Sequence, residues 1–312
     1  MHGEGRQPLQ GVRRLKVLRL RIALLVAALA AVTAWGDVAF ATWNLHWFPS
    51  GRANRRMSET TERRHAKATG EALGRMLESV CQTNGDFVLF LQEVRDEKCC
   101  RSLMRYAGRE DASITSISCF TDAAGIALWQ QVAVISTLKP VETGFSKWLS
   151  KTPEPAPRGY AYAVFDCGAD GKVACFSLHL KSNLNLTGSL YGQQRNIYLR
   201  EIASSQVLAK VRSLRQKYGD RLKVVVAGDF NTDTDDARFV SEATLRSFYG
   251  AHFRSCFTGL KPEDRVTHPA TGPYPDATFD YILFFGFGGM TGRYLFPGSP
   301  YSDHNFVAVT LP

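Results

Sequence analysis

Apolar residues along the chain fall into short runs that predict buried β-strands. The continuous apolar run at 87–91 and the mainly apolar run at 222–227, which contains Lys223, are typical of strands buried on both faces. The alternation over 37–43 predicts a third strand. We expect the last two strands of the chain at 279–285 and 305–311. By the same reasoning, further strands are predicted over 113–119, 131–136, 160–167 and 173–178.

Helical spacing of apolar residues appears in three segments between these runs. Ser58 can cap a helix that runs to about Val80. A short helix is expected over 97–106, and the longest helical stretch covers 190–218 and ends before Gly219. The strands and helices therefore alternate along the chain, which is typical of a mixed fold with buried sheets.

A single domain is indicated for residues 35–312, because no linker-like stretch divides these elements. The segment 151–157 carries three prolines and is predicted to be a loop. The hydrophobic content of 45% excludes full disorder. The lack of an internal repeat of fixed period excludes collagen, coiled coils and solenoids.

Residues 1–34 have a different character from the rest of the chain. Six basic residues precede an uncharged run over 22–36 whose apolar core is too short to span a bilayer comfortably, and small residues at 32–34 suit a cleavage site. This pattern predicts a secretory signal peptide, a mature chain that begins near Trp35, and a secreted or periplasmic bacterial protein. An uncleaved membrane anchor is the alternative.

The charge of the chain changes this picture little. The net charge is +9, but the leader holds six basic residues and one acidic residue, so +5 belongs to it and +4 remains. The basic balance is therefore only weak support for a nucleic-acid partner.

Export would allow disulfide bonds among the seven cysteines, although an odd number leaves at least one unpaired. Cys167 and Cys175 flank Asp170 and Gly171, a strong hairpin signal. A two-residue turn would place the two sulfurs on opposite faces, whereas a three-residue turn would bring them together. This pairing stays open. Without a C-x-x-C pair, a cysteine zinc site is not expected.

Polar residues recur at the ends of the buried strands, and together they indicate chemistry. A strand that carries a carboxylate or an amide at its end makes a rigid position for a metal ligand. Oxygen ligands without cysteines suit Mg²⁺, Mn²⁺ or Ca²⁺, and histidines beside them can act as base, acid or donor. The set fits metal-assisted attack of water on a phosphate ester. Its members are Asn44, Glu93, His179, Asp229, Asn231, Asp280, Asp303 and His304.

Six short segments, in order, resemble the motifs of the endonuclease/exonuclease/phosphatase superfamily, whose founder is deoxyribonuclease I. The resemblance runs from about residue 37 to residue 311. It implies an α+β fold, a four-layered sandwich in which two mixed β-sheets pack face to face with helices outside. The segments are TWN (42–44), LQEV (91–94), SLHLKSN (177–183), AGDFN (227–231), FDYIL (279–283) and SDH (302–304).

The resemblance also implies which residues bind a metal. Glu93 matches the principal metal-binding glutamate of the family, and Asn44 matches the asparagine beside it. Asp303 matches the metal-side aspartate of the SDH motif. The implied cofactor is Mg²⁺, with Mn²⁺ or Ca²⁺ as alternatives.

The catalytic roles follow from the resemblance in the same way. His304 matches the general base, and Asp280 matches the aspartate that orients it. Asp229 matches the aspartate near the attacking water. The residues that would contact the substrate phosphate are His179, Asn231 and Arg158.

Two positions depart from the family pattern. Many members have a tyrosine before the strand at 131–136, where this chain offers only Trp129, Gln130 and Gln131. Apurinic endonucleases have an aspartate two residues after the first asparagine, where this chain has His46. We interpret His46 as a surface residue rather than an additional ligand.

The substrate is the least determined part of this interpretation. A nuclease is favoured because basic residues follow the site-bearing loop, and a phospholipid phosphodiesterase or a phosphatase is the alternative. The aromatic segment 284–296 could contact a membrane, but a strand next to a glycine-rich loop explains it better. A non-catalytic binding module is disfavoured because every motif position keeps a functional residue. We expect a monomer. The basic residues are Arg52, Arg55, Arg56, Arg63, Arg64 and Lys67.

Overall fold

The computed structural model describes residues 37–312 except 54, 82–84, 123, 150–156 and 185–187. The expected leader and most of the predicted proline-rich loop lie outside the described residues. Among the helices that are described, none combines the length and the apolar character that crossing a membrane requires.

The described chain contains twelve strands, and all nine of the predicted ones are present. They are β1 (Val38–Phe48), β2 (Phe87–Val94), β3 (Ser113–Ile117), β4 (Gln131–Ser136), β5 (Pro140–Lys147), β6 (Gly159–Asp166), β7 (Lys172–His179), β8 (Lys223–Asp229), β9 (Arg254–Ser255), β10 (Asp280–Phe285), β11 (Gly292–Phe296) and β12 (Phe306–Leu311).

These strands form two six-stranded mixed sheets. The first has the order β11-β12-β1-β2-β4-β3, and the second has the order β5-β6-β7-β8-β10-β9. In each sheet one central pair is parallel, β1 with β2 and β7 with β8, while the other pairs are antiparallel. The sheets pack face to face over a shared core that includes Phe40, Phe90 and Val134 of the first sheet.

Helices cover the outer faces of the two sheets. The helices α1 (Glu59–Cys81) and α2 (Glu97–Tyr106) pack on the first sheet through residues such as Leu73 and Leu103. The helix α3 (Leu190–Tyr218) packs on the second sheet through Leu199, Val207 and Leu214, and the short helix α4 (Thr244–Gly250) follows it. The four-layered α/β sandwich predicted from the resemblance is confirmed, and the three predicted helices are present.

A chain of hydrogen bonds joins the two sheets below the edge where the polar residues meet. Thr42 Oγ1 donates to Gln92 Oε1 over 3.2 Å, and Gln92 Nε2 donates to Ser177 Oγ over 3.2 Å. The Ser177 hydroxyl in turn donates to the Leu91 carbonyl over 3.1 Å. All three side chains are fully buried. Because a buried polar group without a partner is unfavourable, these bonds hold the two sheets in one relative position.

The end of the chain differs from the prediction. Strands at 279–285 and 305–311 are present, but they are not the last two, because β11 lies between them. The aromatic segment 284–296 is also not a surface patch. Phe284 and Phe287 are buried in the shared core, and Phe296 packs against the core under α1 and α2. The structure therefore uses these aromatic rings for packing.

The predicted hairpin of β6 and β7 is present, with a longer connection than a two- or three-residue turn. Asp166 pairs with Lys172, which leaves residues 167–171 in the loop. Cys175 lies opposite Ala163 rather than opposite Cys167. All seven cysteines are free thiols in the structure.

Candidate active site

The polar residues that follow the buried strands meet at one edge of the two sheets. His179 ends β7 and pairs with Asp229, which ends the parallel strand β8. Asp280 begins β10 and lies opposite Asp229. In the first sheet, the parallel strands β1 and β2 carry Asn44 and Glu93 toward the same edge. Parallel pairing therefore explains why residues from distant segments meet here.

Backbone strain is concentrated at this edge. Among the described non-glycine residues, six have positive φ, and five of these line the cavity at the edge. Glu93, with φ of 58°, lies at an irregularity in the pairing of β2 with β4, so its side chain leaves the normal alternation of the strand. Strain of this kind persists only where the surrounding structure enforces it. The five residues are His46, Trp47, Glu93, Arg158 and Asn231.

The glycine of the AGDFN segment permits the close approach of β7 and β8. Gly228 has φ of 142°, and a Cβ atom there would lie 2.0 Å from the carbonyl oxygen of Leu178. No other residue fits this position without moving the backbone that carries His179 and Asp229.

Asp229 is the centre of the hydrogen-bond network. Its Oδ2 accepts a bond of 3.0 Å from Asn44 Nδ2, and its Oδ1 accepts one of 2.8 Å from the backbone N–H of Asn231. Asn44 Nδ2 is also 3.4 Å from Glu93 Oε1. Burial, together with the nearby charge of Asp280, raises the pKa of Asp229 to about 7. The carboxylates at this edge therefore repel one another.

His304 and Asp280 form a buried pair. His304 Nδ1 lies 2.7 Å from Asp280 Oδ2, which fixes the ring and directs Nε2 toward the other carboxylates. Nε2 lies 3.9 Å from Asp229 Oδ2 and 3.9 Å from Asp303 Oδ1. Burial alone would lower the pKa of His304, but the charges of Asp280, Asp229 and Asp303 and the bond to Asp280 raise it to about 10.

His179 is the opposite case, a neutral imidazole. Burial, helped by the positive charges of Arg158 and His304, lowers its pKa well below the ordinary value. Its Nε2 lies 3.4 Å from Asp229 Oδ2 and 3.8 Å from Glu93 Oε1. Its buried Nδ1 has no partner among the described residues. A proton on Nε2 therefore satisfies the ring best, which makes His179 a neutral donor.

Arg158 is enclosed at the base of the site and contacts no carboxylate among the described residues. It donates to the backbone carbonyls of His179 and Leu180 and, over 2.8 Å, to Gln130 Oε1. Burial lowers its pKa. These bonds use three of the five N–H groups of a guanidinium, so two are left for an anionic ligand.

Asp303 lies at the mouth of the site, surrounded by imidazole rings. His46 Nδ1 lies 3.0 Å from Asp303 Oδ1, and His268 Nε2 lies 3.8 Å from Asp303 Oδ2. Burial would raise the pKa of Asp303, but hydrogen bonds from His268 and His46 and the charge of His304 lower it.

His46 is partly exposed, as expected for a surface residue, but it also takes part in the site, and two further residues were not predicted. His46 lines the cavity and bonds to Asp303. Regular strand alternation could not have indicated this, because His46 and Trp47 have positive φ and the pairing of β1 with β2 is irregular between Asn44 and Phe48. Gln130 takes part through Arg158 and His268 through Asp303. Neither follows a buried strand, and no local pattern marks them.

The structure brings all eight strand-end residues and Arg158 to this edge, where most of them line one cavity of about 870 Å³. The basic stretch after Asn44 lies outside it, on the exposed surface. Beyond this edge the cavity continues between the loop after β7, the start of α3 and the loop before β10. That extension is lined by both polar and apolar side chains, namely Ser182, Asn183, Leu184, Gln193, Asn196, Ile197, Arg200, Arg238, Phe239, Thr271, Tyr274 and Pro275.

Two groups of side chains at the site could hold a metal ion. Asp229, Asp280 and His304 form one group, and His268, Asp303 and His304 form the other. Within each group, one ligand atom per residue lies within 4.8 Å of the others. The site is therefore suited to a cation.

Comparison with protein families gives one match over most of the chain. The family model described as "Endonuclease/Exonuclease/phosphatase family" matches residues 41–304. No curated protein sequence matches the chain significantly.

This chain matches solved structures of the same fold over nearly the whole length of each of them. TDP2 of D. rerio, complexed with a single-strand DNA product, is 16% identical with a TM-score of 0.56, covering 89% of this chain and 99% of that one. Sphingomyelinase C of Streptomyces griseocarneus is 15% identical, with a TM-score of 0.56 and coverage of 88% and 99%. A mannosyl-6-phosphatase of Bacteroides thetaiotaomicron is 16% identical, with a TM-score of 0.54 and the same coverage. At these identities the likeness concerns the fold alone.

Proposed function

The chain belongs to the endonuclease/exonuclease/phosphatase family, and from this premise we propose that it is a divalent-metal-dependent phosphodiesterase. Members of the family are phosphoester hydrolases. The observation that carries the proposal is the pair of His304 and Asp280, 2.7 Å apart, beside the buried Asp229. His304, oriented by Asp280, is an acid–base group, and Asp229 beside it is a carboxylate that can position water.

The charges at the site support a bound cation. Carboxylates converge from both sheets, and Arg158, which is enclosed with them, donates to backbone carbonyls and Gln130 rather than to a carboxylate. Glu93 forms no salt bridge with a Lys or Arg among the described residues, and a carboxylate at such a position favours a bound cation. We propose that Asn44, Glu93 and Asp303 hold Mg²⁺, with Mn²⁺ or Ca²⁺ as alternatives. The ion would neutralise charge on the phosphate.

His304 is the proposed general base. Asp280 fixes its Nδ1 proton, so Nε2 is the atom that takes a proton from the attacking water. The carboxylates keep Nε2 protonated at neutral pH, and positive charge brought to Asp303 would release that proton. Asp229, 3.9 Å away, is placed to position the same water.

The phosphate would be held by donors on the opposite side. His179 offers Nε2–H as a neutral imidazole, and Arg158 offers its two remaining N–H groups. Asn231 is fixed by its backbone bond to Asp229 and by a bond of 3.4 Å from its Nδ2 to the Leu180 carbonyl. Donors held before the substrate arrives need no rearrangement as negative charge develops.

Nucleic acid is the substrate that we favour. Amide and hydroxyl side chains on the wall of the cavity extension could bond to a hydrophilic phosphodiester, and Arg238, which is paired with Asp236, also lies on this wall. The solved TDP2 structure of this fold holds a single-strand DNA product. The exposed basic stretch could bind a longer strand beyond the cavity.

A phospholipid substrate is the second candidate, and one observation favours it. Leu184 lines the cavity and is exposed, and Leu190 and Tyr191 at the start of α3 are more than 70% exposed. Exposed apolar side chains beside a cavity are typical of contact with an apolar surface. A phosphatase is a further alternative.

The first experiment tests the metal and the chemistry together. Purified protein is incubated with plasmid DNA, RNA, sphingomyelin vesicles and bis-nitrophenyl phosphate, with Mg²⁺, Mn²⁺ or EDTA. We expect EDTA to abolish hydrolysis and Glu93→Ala to weaken metal binding. The control is Glu110→Ala, which changes an exposed glutamate in the loop after α2 and should affect neither property. Full activity in EDTA contradicts the proposal.

The second experiment tests the nucleic-acid substrate. Two variants each lose four exposed positive charges, so their net charge is the same. We expect only the variant of the basic stretch to bind DNA more weakly and with a flatter salt dependence, since each phosphate contact adds about 0.9 to the log–log slope. Equal effects exclude a specific role for the stretch. The test set is Arg52, Arg55, Arg56 and Arg64, and the control set is Arg75, Lys98, Arg101 and Arg105, all changed to Ser.

We also propose that the protein is exported and works as a monomer outside the cytoplasm. The charged and apolar pattern of residues 1–34 is the support. N-terminal sequencing of exported protein is expected to begin near Trp35. A chain that retains Met1 indicates the anchor instead.

A further inference from the structure

The segment 266–268, here called the strap, fixes the two loops that carry His304 and Asp280. Thr267 Oγ1 accepts bonds of 2.8 Å and 2.9 Å from the backbone N–H groups of Phe279 and Asp280. The Thr267 carbonyl accepts a bond of 2.7 Å from the N–H of Asn305. The next residue of the strap, His268, therefore has a fixed position relative to both loops.

The ring of His268 presents one nitrogen to the cavity. It packs edge-on against the ring of His304, with centroids 4.9 Å apart and an interplanar angle of 77°. Its Nδ1 is buried, has no hydrogen-bond partner among the described residues and belongs to a ring that also packs against Phe279. Nε2 is the nitrogen that faces Asp303, at 3.8 Å from Oδ2.

Three potential ligand atoms consequently surround one point at the mouth of the site. One ring nitrogen of His268, a carboxylate oxygen of Asp303 and one ring nitrogen of His304 lie within 4.8 Å of one another. Nε2 of His268 and Nε2 of His304 lie 3.8 Å and 3.9 Å from the Asp303 carboxylate. Tetrahedral coordination at about 2.0–2.1 Å needs ligand atoms roughly 3.4 Å apart. Small side-chain shifts would bring the three ligand atoms to this separation, and the fourth coordination position would face the cavity.

The chemistry of this set differs from that of the proposed magnesium ligands. Two imidazoles and one carboxylate suit zinc, whereas carboxylate, amide and water oxygens suit Mg²⁺. Asn44 and Glu93 supply only oxygen and amide groups, and neither belongs to the His268 group. Only Asp303 is common to both sets.

We propose that His268, Asp303 and His304 form a zinc site and that a zinc ion bound there inhibits hydrolysis. Zinc would bind the Nε2 lone pair of His304, which is the atom that must accept a proton from water. It would also draw Asp303 away from the magnesium ligands. The inhibitory part rests on the proposed function, whereas zinc binding itself does not.

Zinc affinity tests the site directly. It is measured on the full chain by competition with a chromophoric chelator, with the exposed Cys119 changed to Ser in every sample so that its thiol does not bind zinc. Loss of a supporting contact to a metal ligand weakens binding by about 10–100-fold, so His268→Asn, which removes a ligand, should weaken it by about 100-fold or more.

The matched control is His252→Asn, an exposed histidine with φ of 65° that asparagine tolerates. This control should bind zinc as the parent does. Equal zinc affinity in the two variants overturns the site. Visible absorption of bound Co²⁺ reports the same ligands, and an intense tetrahedral spectrum should disappear only in His268→Asn.

Inhibition is tested as the ratio of turnover with and without zinc, at saturating Mg²⁺, within each variant. The parent and His252→Asn should be inhibited at zinc concentrations that fill the site, and His268→Asn should not. Zinc that binds through His268 without slowing the parent overturns the inhibitory role. If no substrate is hydrolysed with any metal, the proposed function fails, and the binding measurement still decides the site.

Discussion

Two carboxylates in this protein, Glu142 and Asp229, have opposite surroundings. Glu142 lies on β5 and is bonded by Lys217 Nζ over 2.7 Å, by the Tyr218 hydroxyl over 2.6 Å and by the Tyr162 hydroxyl over 2.8 Å. These donors lower its pKa to about 2, the bonds from Lys217 and Tyr218 contributing most. Asp229 accepts hydrogen bonds from the Asn44 amide and a backbone N–H and lies 3.4 Å from the neutral His179, and its pKa is raised to about 7.

The difference separates a carboxylate that stabilises the fold, Glu142, from one that the site requires, Asp229. Around Glu142 the chain supplies more positive charge and donors than one carboxylate requires, so the charged form is stabilised. Around Asp229 the chain crowds carboxylates into a buried space, so the charged form is destabilised. Such an arrangement lowers stability and is typical of functional sites. Each prediction below tests whether this contrast is real.

The largest expected effect is on turnover, after substitution of His304 at the edge of the sheets where Asp229 lies. His304→Gln keeps a hydrogen-bonding group near Asp280 but cannot take a proton at neutral pH. We expect turnover to fall about 10²–10⁴-fold, and Asp280→Asn to cost less because the imidazole remains. The double variant should be about as slow as His304→Gln alone.

The measurement is single-turnover hydrolysis with saturating metal, and His252→Gln is the matched control. Folding is checked by denaturant unfolding. Strictly additive losses in the double variant would show that His304 and Asp280 act independently, and His179 would then become the better candidate for the base.

The next effect is on stability, and it has an unusual sign. Asp229 has a folded pKa of about 7, above that of an ordinary aspartate. The fold therefore loses stability as pH rises from the ordinary aspartate pKa through the folded pKa, because the unfolded chain ionises first. Asp229→Asn should therefore raise the free energy of unfolding by about 1 kcal/mol at pH 8 without metal, while abolishing turnover. The gain should disappear below about pH 4. A loss of stability at pH 8 would contradict the contrast.

The pH dependence of turnover should depend on the metal. Asp280, Asp229 and Asp303 raise the pKa of His304 to about 10, and a base must be deprotonated to act. Activity should therefore rise with pH. A cation cancels negative charge, so the midpoint should move to lower pH, by about one unit or more, between low and saturating Mg²⁺ or Mn²⁺. Profiles of kcat against pH at several metal concentrations test this, and a fixed midpoint is the contrary result.

The smallest effect is expected at Glu142. Its folded pKa lies below that of an ordinary glutamate, so its charge stabilises the fold above about pH 4.5, and the contribution is lost as pH falls toward 2. Glu142→Gln should lower the free energy of unfolding at pH 7 by about 0.5–1 kcal/mol, because the group is near solvent. Turnover should be unchanged. Denaturant titrations at pH 7 and pH 3 should show the difference shrinking.

The sequence predicted those site residues whose position depends on strand direction. His179 and Asp229 end parallel strands, and Asn44 lies in the last part of the parallel strand β1, so these residues meet at one edge whatever the loops do. Glu93 was found for the same reason, although its positive φ could not be foreseen because no residue type encodes it. His268 was missed because a hydrogen-bonded strap places it.

The missed elements have a similar explanation. The edge strand β5 alternates between exposed and half-buried residues and contains a proline and a glycine, which weaken the strand pattern. The short helix α4 has no capping side chain. The strand β11 follows a glycine-rich loop and is only half-buried. Each is held by its neighbours in the fold rather than by a strong local preference.

The order of the strands has a consequence for the timing of activity during synthesis. The first sheet joins the earliest described strand, β1, to the latest, β12, while the second sheet comes from the uninterrupted stretch between β4 and β11. A ribosome releases the N-terminal part first, so Asn44 and Glu93 emerge long before His304. Until β12 has left the ribosome and paired with β1, the proposed base is missing and the first sheet is incomplete. The proposed hydrolysis therefore cannot begin on the nascent chain before the last strand is in place.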